Sequence, residues 1–461
     1  MTLNSKLYFL YNKIVQLFPN AKLLVKMNST EYKLYHESQM KNNNGSNAVH
    51  TFFCIFFTVQ CTLLCAIQEK KQLPLQYLYE YIVIVLPLIL AHTLLAEYIY
   101  HLNIIIMIVL LYNVVNLNIP KMLEIFNDSN RISRKRLHTI TSLRGLTYLI
   151  TAVAILAVDF KHFPRYLAKT EMYGYSLMDT GVGLFVLMSG LVHRDFQNDN
   201  LLKIGKSNFK VISILLILGI GRFVSIKQMN YHEHVTEYGV HWNFFFTLAF
   251  CKLISTMFLL ASNKPLLLSI ITIFIHEILL YNSLEEWVFN SSLRLTLIDA
   301  NREGISSNLG YVCLYLFAVH IKKLLLKENK SPLKKLVSYA IASVFLAYFV
   351  NLFRPTSRTL ANAGYILFLI SVLLVILSLL LFFEICLENK KVFQSPLIVS
   401  AINDNGLIYF LICNISTGLV NLMFQTLLLS AGNTFVILNI YMVSTIFVTI
   451  RLRNILIANK I

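Results

Sequence analysis

Long uninterrupted apolar runs recur along the whole chain, and they constrain its fold more than any other feature. An α-helix needs about 17 to 25 apolar residues to cross the hydrocarbon core of a bilayer. About thirteen runs reach that length, at residues 48–68, 78–97, 101–118, 143–160, 177–193, 209–226, 241–261, 265–283, 309–326, 335–353, 360–387, 406–430 and 434–450. The sequence therefore predicts an all-α, polytopic integral membrane protein with about thirteen transmembrane helices.

Closed β-barrels are the only other architecture that spans a bilayer, and their strands alternate apolar and polar residues. The runs in this chain are continuous, which favours helices. We expect an N-terminal tail at residues 1–46, in which LYFLYNKIVQLF is typical of an amphipathic interfacial helix and KNNNGSN of a flexible linker. Residues 47–461 form one multi-span transmembrane domain, because no connection is long enough for a soluble domain.

The chain carries a formal net charge of +17, which could suggest a nucleic-acid partner. Its Lys and Arg residues, however, gather in alternate loops, as the positive-inside rule requires of a membrane protein, with six Lys from Lys322 to Lys335 in one loop. This pattern predicts a cytosolic C-terminus and no nucleic-acid partner. All seven Cys fall inside apolar runs, without the spacing of a zinc site or a disulfide framework, so we predict no metal.

One segment, AVDFKHFPRYLAKTEMYGYSLMDTGVG at residues 157–183, joins the fourth and fifth runs on the side opposite the C-terminus. It gathers Lys161, Arg165 and Lys169 on a side with few other cations, and Asp159 lies ten residues before Lys169. A loop that folds back would bring Asp159 and Lys169 together. A carboxylate accepts a proton from a hydroxyl while a cation stabilises the attacked carbonyl, as acyl transfer to an alcohol requires. The alternative is a plain salt bridge that fastens the loop.

The same segment, extended to residue 192, resembles the signature region of the GPI inositol acyltransferases, the GPI-anchored wall transfer proteins of fungi and the phosphatidylinositol glycan class W proteins of animals. The resemblance also covers RLHTITSLRGL at 136–146, EYGVHWNFFFTLA at 237–249, NREGISSNLGY at 301–311 and NLMFQTLLL at 421–429. It runs from about residue 130 to the C-terminus, whereas the first 46 residues have no clear counterpart.

The resemblance implies an acyltransferase of the endoplasmic reticulum membrane that acts in GPI-anchor biosynthesis. Its partners would be acyl-CoA, palmitoyl-CoA above all, as co-substrate, and glucosaminyl-phosphatidylinositol as acceptor, in contact with membrane lipid and with no bound cofactor. The catalytic loop would be lumenal and the C-terminus cytosolic. By motif position, Asp159 would be the general base on the inositol hydroxyl. Lys169 would either orient Asp159 or hold the oxyanion.

Substrate-binding residues are expected in the same loop and in the VHWNF motif. Arg165 offers a planar fork of donors that suits the phosphodiester of the acceptor. The other candidates are Lys161, Glu171, Asp179, His241, Trp242 and Asn243. His241 is also a rival base, although a His beside a Trp at an interface often only anchors its helix.

Two alternatives remain open on sequence grounds. The first is a membrane-bound O-acyltransferase with His276 as its catalytic histidine. The second is a secondary transporter, which would use the buried charges of Asp179 and Lys252 but predicts discontinuous helices and repeated halves. Glu97, His193, Arg222 and Glu384 lie near run ends and are expected to be structural.

Overall fold

A computed structural model describes residues 27–39, 41–68, 75–116, 137–194, 201–229, 235–290, 294–326, 332–388 and 394–458. These residues form helices joined by turns. The longer helices, in chain order, are α1 (Ser29–Ser38), α2 (Ala48–Ala66), α3 (Leu75–Ala91), α4 (Ile99–Asn116), α5 (His138–Ala157), α6 (Leu177–Leu191), α7 (Leu201–Met229), α8 (Phe244–Ala261), α9 (Pro265–Leu279), α10 (Arg302–Leu325), α11 (Pro332–Phe353), α12 (Ala363–Glu388), α13 (Leu397–Asp404), α14 (Gly406–Met423) and α15 (Ala431–Ala458).

Short helical segments complete the described chain. A π-helical turn at Tyr81–Val85 lies within α3, and another at Leu280–Leu284 extends α9 into a last turn at Glu285–Phe289. The remaining short segments are Ala96–Tyr98, Arg165–Leu167, Val235–Tyr238, Leu297–Ala300 and Thr426–Leu428. The proposed amphipathic segment LYFLYNKIVQLF lies outside the described residues.

The all-α membrane architecture predicted from the sequence is confirmed. Within the described ranges, eleven helices are long and apolar enough to cross a membrane. The second and fifth predicted runs form the shorter apolar helices Leu75–Ala91 and Leu177–Leu191. The count of thirteen spans therefore stays a prediction.

Helices α5, α10 and α12 form the buried centre of the bundle, whereas α4, α7 and α11 expose most of their residues at its surface. In a bilayer that outer surface is matched by lipid, so apolar side chains there need no protein partner. The central helices can instead carry polar residues, because neighbouring helices satisfy their hydrogen bonds.

At one end of the bundle, carboxylates bind the starts of two helices. Glu384 of α12 accepts hydrogen bonds from the backbone N–H groups of His138 (3.0 Å) and Thr139 (2.8 Å) at the start of α5. Glu80 of α3 does the same for Leu397 and Ile398 in α13, both at 2.8 Å. A negative charge is favourable at a helix N-terminus, so these contacts fix the entry of α5 into the bundle. Glu384 is thus structural, as expected.

The opposite end of the bundle, called the outer face here, collects the candidate site. Five chain segments are hydrogen-bonded or ion-paired to one another there: residues 27–47, 157–176, 235–243, 354–362 and 421–434. The segment between α5 and α6 lies among the other four. The loop selected from the sequence is therefore a junction of the fold, with a mixture of buried and exposed side chains.

Candidate active site

Asp159 lies just beyond the end of α5 and is almost fully buried. The Nδ2 atom of Asn421, on α14, donates a hydrogen bond of 2.7 Å to Oδ2 of Asp159. The Nε2 atom of His36, on α1, lies 3.5 Å from Oδ1. Each carboxylate oxygen thus has a partner from a distant part of the chain. A carboxylate held in this way keeps one orientation, which a general base needs.

Arg165 braces the backbone on both sides of Asp159. Its Nη1 donates to the carbonyl of Val158 (2.9 Å) and its Nη2 to that of Phe160 (3.1 Å). Burial lowers the pKa of Arg165, and the neighbouring Asp159 carboxylate partly offsets that effect. The guanidinium therefore serves the turn that carries the carboxylate. Its predicted role toward the acceptor phosphate stays a prediction.

Lys169 pairs with a different carboxylate from the one the sequence suggested. Its Nζ lies 2.5 Å from Oε1 of Glu237, in the short helix Val235–Tyr238 that precedes α8. Across the ranges that the structure describes, the side chains of Asp159 and Lys169 form no direct ion pair. The loop does turn back, but Glu237 reaches Lys169 from another element, so the expected direct contact is not made.

The electrostatic surroundings of Glu237 favour its charged form. Burial alone would raise the pKa of its carboxyl, but the positive charges of Lys169 and Arg358 outweigh burial and hold that pKa at about 2. Glu237 is therefore an anion at neutral pH and holds the Lys169 side chain in an ion pair. A fixed ammonium group is what a developing oxyanion requires.

Asp179 fastens the end of the loop to the bundle. It lies in the first turn of α6, and its Oδ1 is 2.9 Å from Nε of Arg358. Its Oδ2 accepts hydrogen bonds from Thr170, at 3.1 Å from the backbone N–H and 2.7 Å from the hydroxyl. The hydroxyl of Tyr365 donates to the Asp179 carbonyl at 2.8 Å. Buried charge is tolerated here because it is paired and hydrogen-bonded.

The other ionisable side chains of the loop differ in how far protein contacts already engage them. Glu171 accepts a hydrogen bond of 2.8 Å from the backbone N–H of Asn42, so its carboxylate holds the N-terminal segment. Lys161 is exposed. His162 lies with its Nδ1 3.4 Å from the hydroxyl of Thr434, and burial together with the charge of Lys161 lowers its pKa. Of these side chains, Lys161 is the most open to a ligand.

The VHWNF residues support the start of α8. The backbone N–H groups of His241 (2.8 Å) and Trp242 (2.9 Å) both donate to Oδ1 of Asn301. The Asn243 side chain caps α8, because its Oδ1 accepts from the N–H of Phe245 at 3.0 Å. Across the described residues none of the three contacts Asp159. Their predicted part in substrate binding stays a prediction.

His276 and Lys252, the residues behind the two sequence-based alternatives, differ in their contacts. Nε2 of His276 lies 2.9 Å from the carbonyl oxygen of Leu360, and the neighbouring Glu277 pairs with Arg354 at 2.9 Å. Lys252 forms no ion pair within the described ranges. Within those ranges, no group of three or more His, Cys, Asp or Glu residues could hold a metal ion.

Comparison with known proteins covers the segments of chain that form this site. A sequence model of the GWT1 family matches residues 32–452. The chain belongs to the GWT1 family. The match starts within α1, so the expectation that the first 46 residues have no counterpart is wrong for residues 32–46. The matched residues include most of α1, which carries His36.

Several curated relatives of this GWT1-family chain are named for what they do. The human glucosaminyl-phosphatidylinositol-acyltransferase PIGW is 31% identical, over 89% of this chain and 96% of the relative. The GPI-anchored wall transfer protein 1 of Kluyveromyces lactis is 36% identical over 66% of this chain and 70% of its own length. The Schizosaccharomyces pombe protein of the same name is 34% identical over 67% and 70%. The family that the sequence resembles is thereby confirmed.

Four residues of the site were not selected from the sequence: His36, Glu237, Arg358 and Asn421. Glu237 and Asn421 are the first residues of the EYGVHWNFFFTLA and NLMFQTLLL motifs, so a signal for them was present. A polar side chain that opens a motif at the end of a span is a reasonable candidate for an outer-face partner. His36 and Arg358 carry no such signal, because their partners become apparent only in the folded chain.

Proposed function

We propose that this protein transfers an acyl group to the inositol of glucosaminyl-phosphatidylinositol, in GPI-anchor biosynthesis. One observation carries the proposal: a human relative that matches nearly the full length of both chains is named for that acyl transfer. The site suits a lipid acceptor, because Asp159 lies where a spanning helix ends and a headgroup would be held. The enzyme is an acyltransferase of a polytopic membrane fold.

We further propose that the donor is a long-chain acyl-CoA, with palmitoyl-CoA preferred, and that the enzyme resides in the endoplasmic reticulum membrane with its outer face toward the lumen. A thioester carries its own leaving group, so the reaction needs no bound cofactor or metal. The residues of the site supply a base and positive charge, which are the groups that acyl transfer from a thioester requires.

In the proposed reaction, a free lone pair of the Asp159 carboxylate accepts the proton of the inositol hydroxyl. The hydroxyl oxygen attacks the thioester carbonyl carbon, so a carbon–oxygen bond forms and negative charge develops on the carbonyl oxygen. Lys169, held in its ion pair by Glu237, stabilises that oxyanion. When the intermediate collapses, the carbon–sulfur bond breaks, and the proton held by Asp159 neutralises the departing thiolate.

The acceptor's phosphodiester requires donors near the inositol. Lys161 is exposed at the start of the loop, and Arg165 lies beside the Asp159 turn. Both are therefore proposed to attract the phosphate. The direct bonds of Arg165 to backbone carbonyls make Lys161 the more available contact.

Purified full-length protein, supplied with palmitoyl-CoA and glucosaminyl-phosphatidylinositol, should form an ester that is detected by mass spectrometry. The Asp159→Asn variant should lose this activity, whereas His276→Ala should keep it. Folded wild-type protein that forms no ester would refute the assignment. Activity that survives in Asp159→Asn but disappears in His276→Ala would instead indicate a membrane-bound O-acyltransferase with a catalytic histidine.

A further inference from the structure

The N-terminal segment described at residues 27–39 and 41–47, called the strap here, is fastened to the outer face near both of its ends. Near α1, Gln425 accepts a hydrogen bond from the Met27 N–H (3.1 Å) and donates one to the Met27 carbonyl (2.9 Å). The hydroxyl of Tyr32 lies 3.2 Å from that of Thr426. The strap is therefore joined to the α14–α15 connection, almost four hundred residues away in sequence.

Beyond α1, the strap is bound to the loop that carries the candidate site. The Asn43 side-chain amide donates to the carbonyls of Arg165, Ala168 and Lys169 at 2.8 to 2.9 Å. Gly45 has a positive φ of 72° and lies so close to the Tyr175 carbonyl that an added Cβ would overlap with it. The strap is thus a fixed part of the outer face, where the composition of KNNNGSN suggested a linker.

Between these two attachments, α1 presents His36 to Asp159. Nε2 of His36 lies 3.5 Å from Oδ1, and only 15% of the His36 side chain and 6% of the Asp159 side chain are exposed. Asn421 occupies the other carboxylate oxygen. Each carboxylate oxygen has two lone pairs, so these contacts fix the carboxylate and still leave capacity for a substrate hydroxyl.

We propose that the strap is part of the active site and that His36 is a positioning residue, which holds the Asp159 carboxylate in its reactive orientation by donating from Nε2 to Oδ1. This inference rests on the proposed role of Asp159 as the base. The charged and titratable groups around the contact are Arg165, from the loop, and Tyr32 and Tyr35, from α1 itself.

A purely structural role for His36 is a weaker explanation of the same geometry. The strap has other attachments, through Met27, Tyr32, Glu171 and Asn43, so it needs no further bond to stay in place. A contact aimed at one oxygen of a buried carboxylate instead restricts the rotation of that carboxylate. Small errors in the position of a base reduce turnover strongly, because reactive geometry tolerates little displacement.

The test uses full-length protein with palmitoyl-CoA and glucosaminyl-phosphatidylinositol. His36→Ala should lower turnover about tenfold or more with little change in the acceptor KM, as loss of an oriented base predicts. His36→Gln and His36→Lys, which keep a donor, should recover most of the lost turnover. His101→Ala, at an exposed His of α4 on the same face, is the matched control and should behave as wild type.

An unchanged turnover in His36→Ala would overturn the inference, and so would equal losses in all three His36 variants, because the imidazole itself would then be required. A double-mutant cycle on thermal unfolding, with His36→Ala, Asp159→Asn and the double variant, provides a readout without activity. The two effects should be non-additive, and simple additivity would overturn the contact. Wild-type protein that forms no ester would refute the proposed function alone, and the cycle would still decide whether His36 holds Asp159.

Discussion

The ammonium group of Lys169 lies 2.5 Å from the carboxylate of Glu237 and makes no direct ion pair with Asp159 within the described chain. The two groups assigned to chemistry are thus held by separate partners. This arrangement suits a division of labour in which Asp159 takes the proton and Lys169 receives charge on the carbonyl oxygen. Each partner can be removed without removing the reactive group itself.

Loss of either reactive group should nearly abolish acyl transfer. Asp159→Asn removes the base, and Lys169→Ala removes the charge for the oxyanion, so each should lower turnover about 100-fold or more. Initial rates of ester formation, normalised to folded protein, measure this effect. Normal specific activity with reduced protein levels would instead show that these residues only stabilise the loop.

Glu237→Gln should release Lys169 from its ion pair and lower turnover by about tenfold, with Lys169 still present. Because the folded pKa of Glu237 is depressed to about 2, its contribution to stability is complete above the ordinary carboxyl pKa and is lost only as pH falls toward 2. Any fall in activity between pH 7 and 5 should therefore be the same in wild type and Glu237→Gln. If the fall in activity between pH 7 and 5 occurs in wild type but is absent in Glu237→Gln, the assignment is contradicted.

Arg165 and Lys161 share one loop, but we expect their substitution by Ala to affect different kinetic constants. Arg165→Ala removes two bonds to the carbonyls that flank Asp159, so turnover should fall more than the acceptor KM rises. Lys161→Ala should raise the KM for the lipid acceptor with little change in turnover, since an exposed cation contributes binding alone. Steady-state rates at varied acceptor concentration distinguish the two, and the reverse pattern would exchange the two roles.

The orientation of the outer face can be tested by glycosylation mapping. A sequon inserted next to Tyr166 should be modified, and one inserted at residues 327–331 should not, because the positive-inside rule predicts that this Lys-rich loop faces the cytosol. The chain's own sequons at Asn28, Asn44 and Asn290 are expected on the outer face and the one at Asn329 lies in the 327–331 loop, so glycosylation at these four positions provides the baseline. Modification at 327–331 alone would show that the topology is inverted and that Asp159 lies on the cytosolic side.

The spans could be predicted because the bilayer imposes a requirement that every spanning segment meets by itself. Lipid demands long apolar helices, and runs such as 143–160 and 360–387 meet that demand locally. The short helices α3 and α6 show the limit of the argument. A π-helical turn interrupts α3, and α6 begins only at Leu177, where Ser176 caps it. Such local features adjust helix ends beyond what hydropathy detects.

The pairing of the site residues with their partners could not be predicted, because the two members of each pair are distant in sequence. Asn421 is separated from Asp159 by 262 residues, and Glu237 from Lys169 by 68. A cation in a loop has no intrinsic preference between two carboxylates, and the packing of helices decides which one it meets. The loop that the resemblance selected lies among the segments of the outer face, and the fold determined its contacts.

Asp159 lies where an early segment of the chain meets a late one, since His36 and Asn421 contact the same carboxylate. During synthesis and insertion, α5 enters the membrane long before α14 has been made. For that interval the carboxylate lacks one of its two partners, and the strap lacks its attachment at Gln425. The arrangement around Asp159 is therefore complete only after α14 has been added to the bundle.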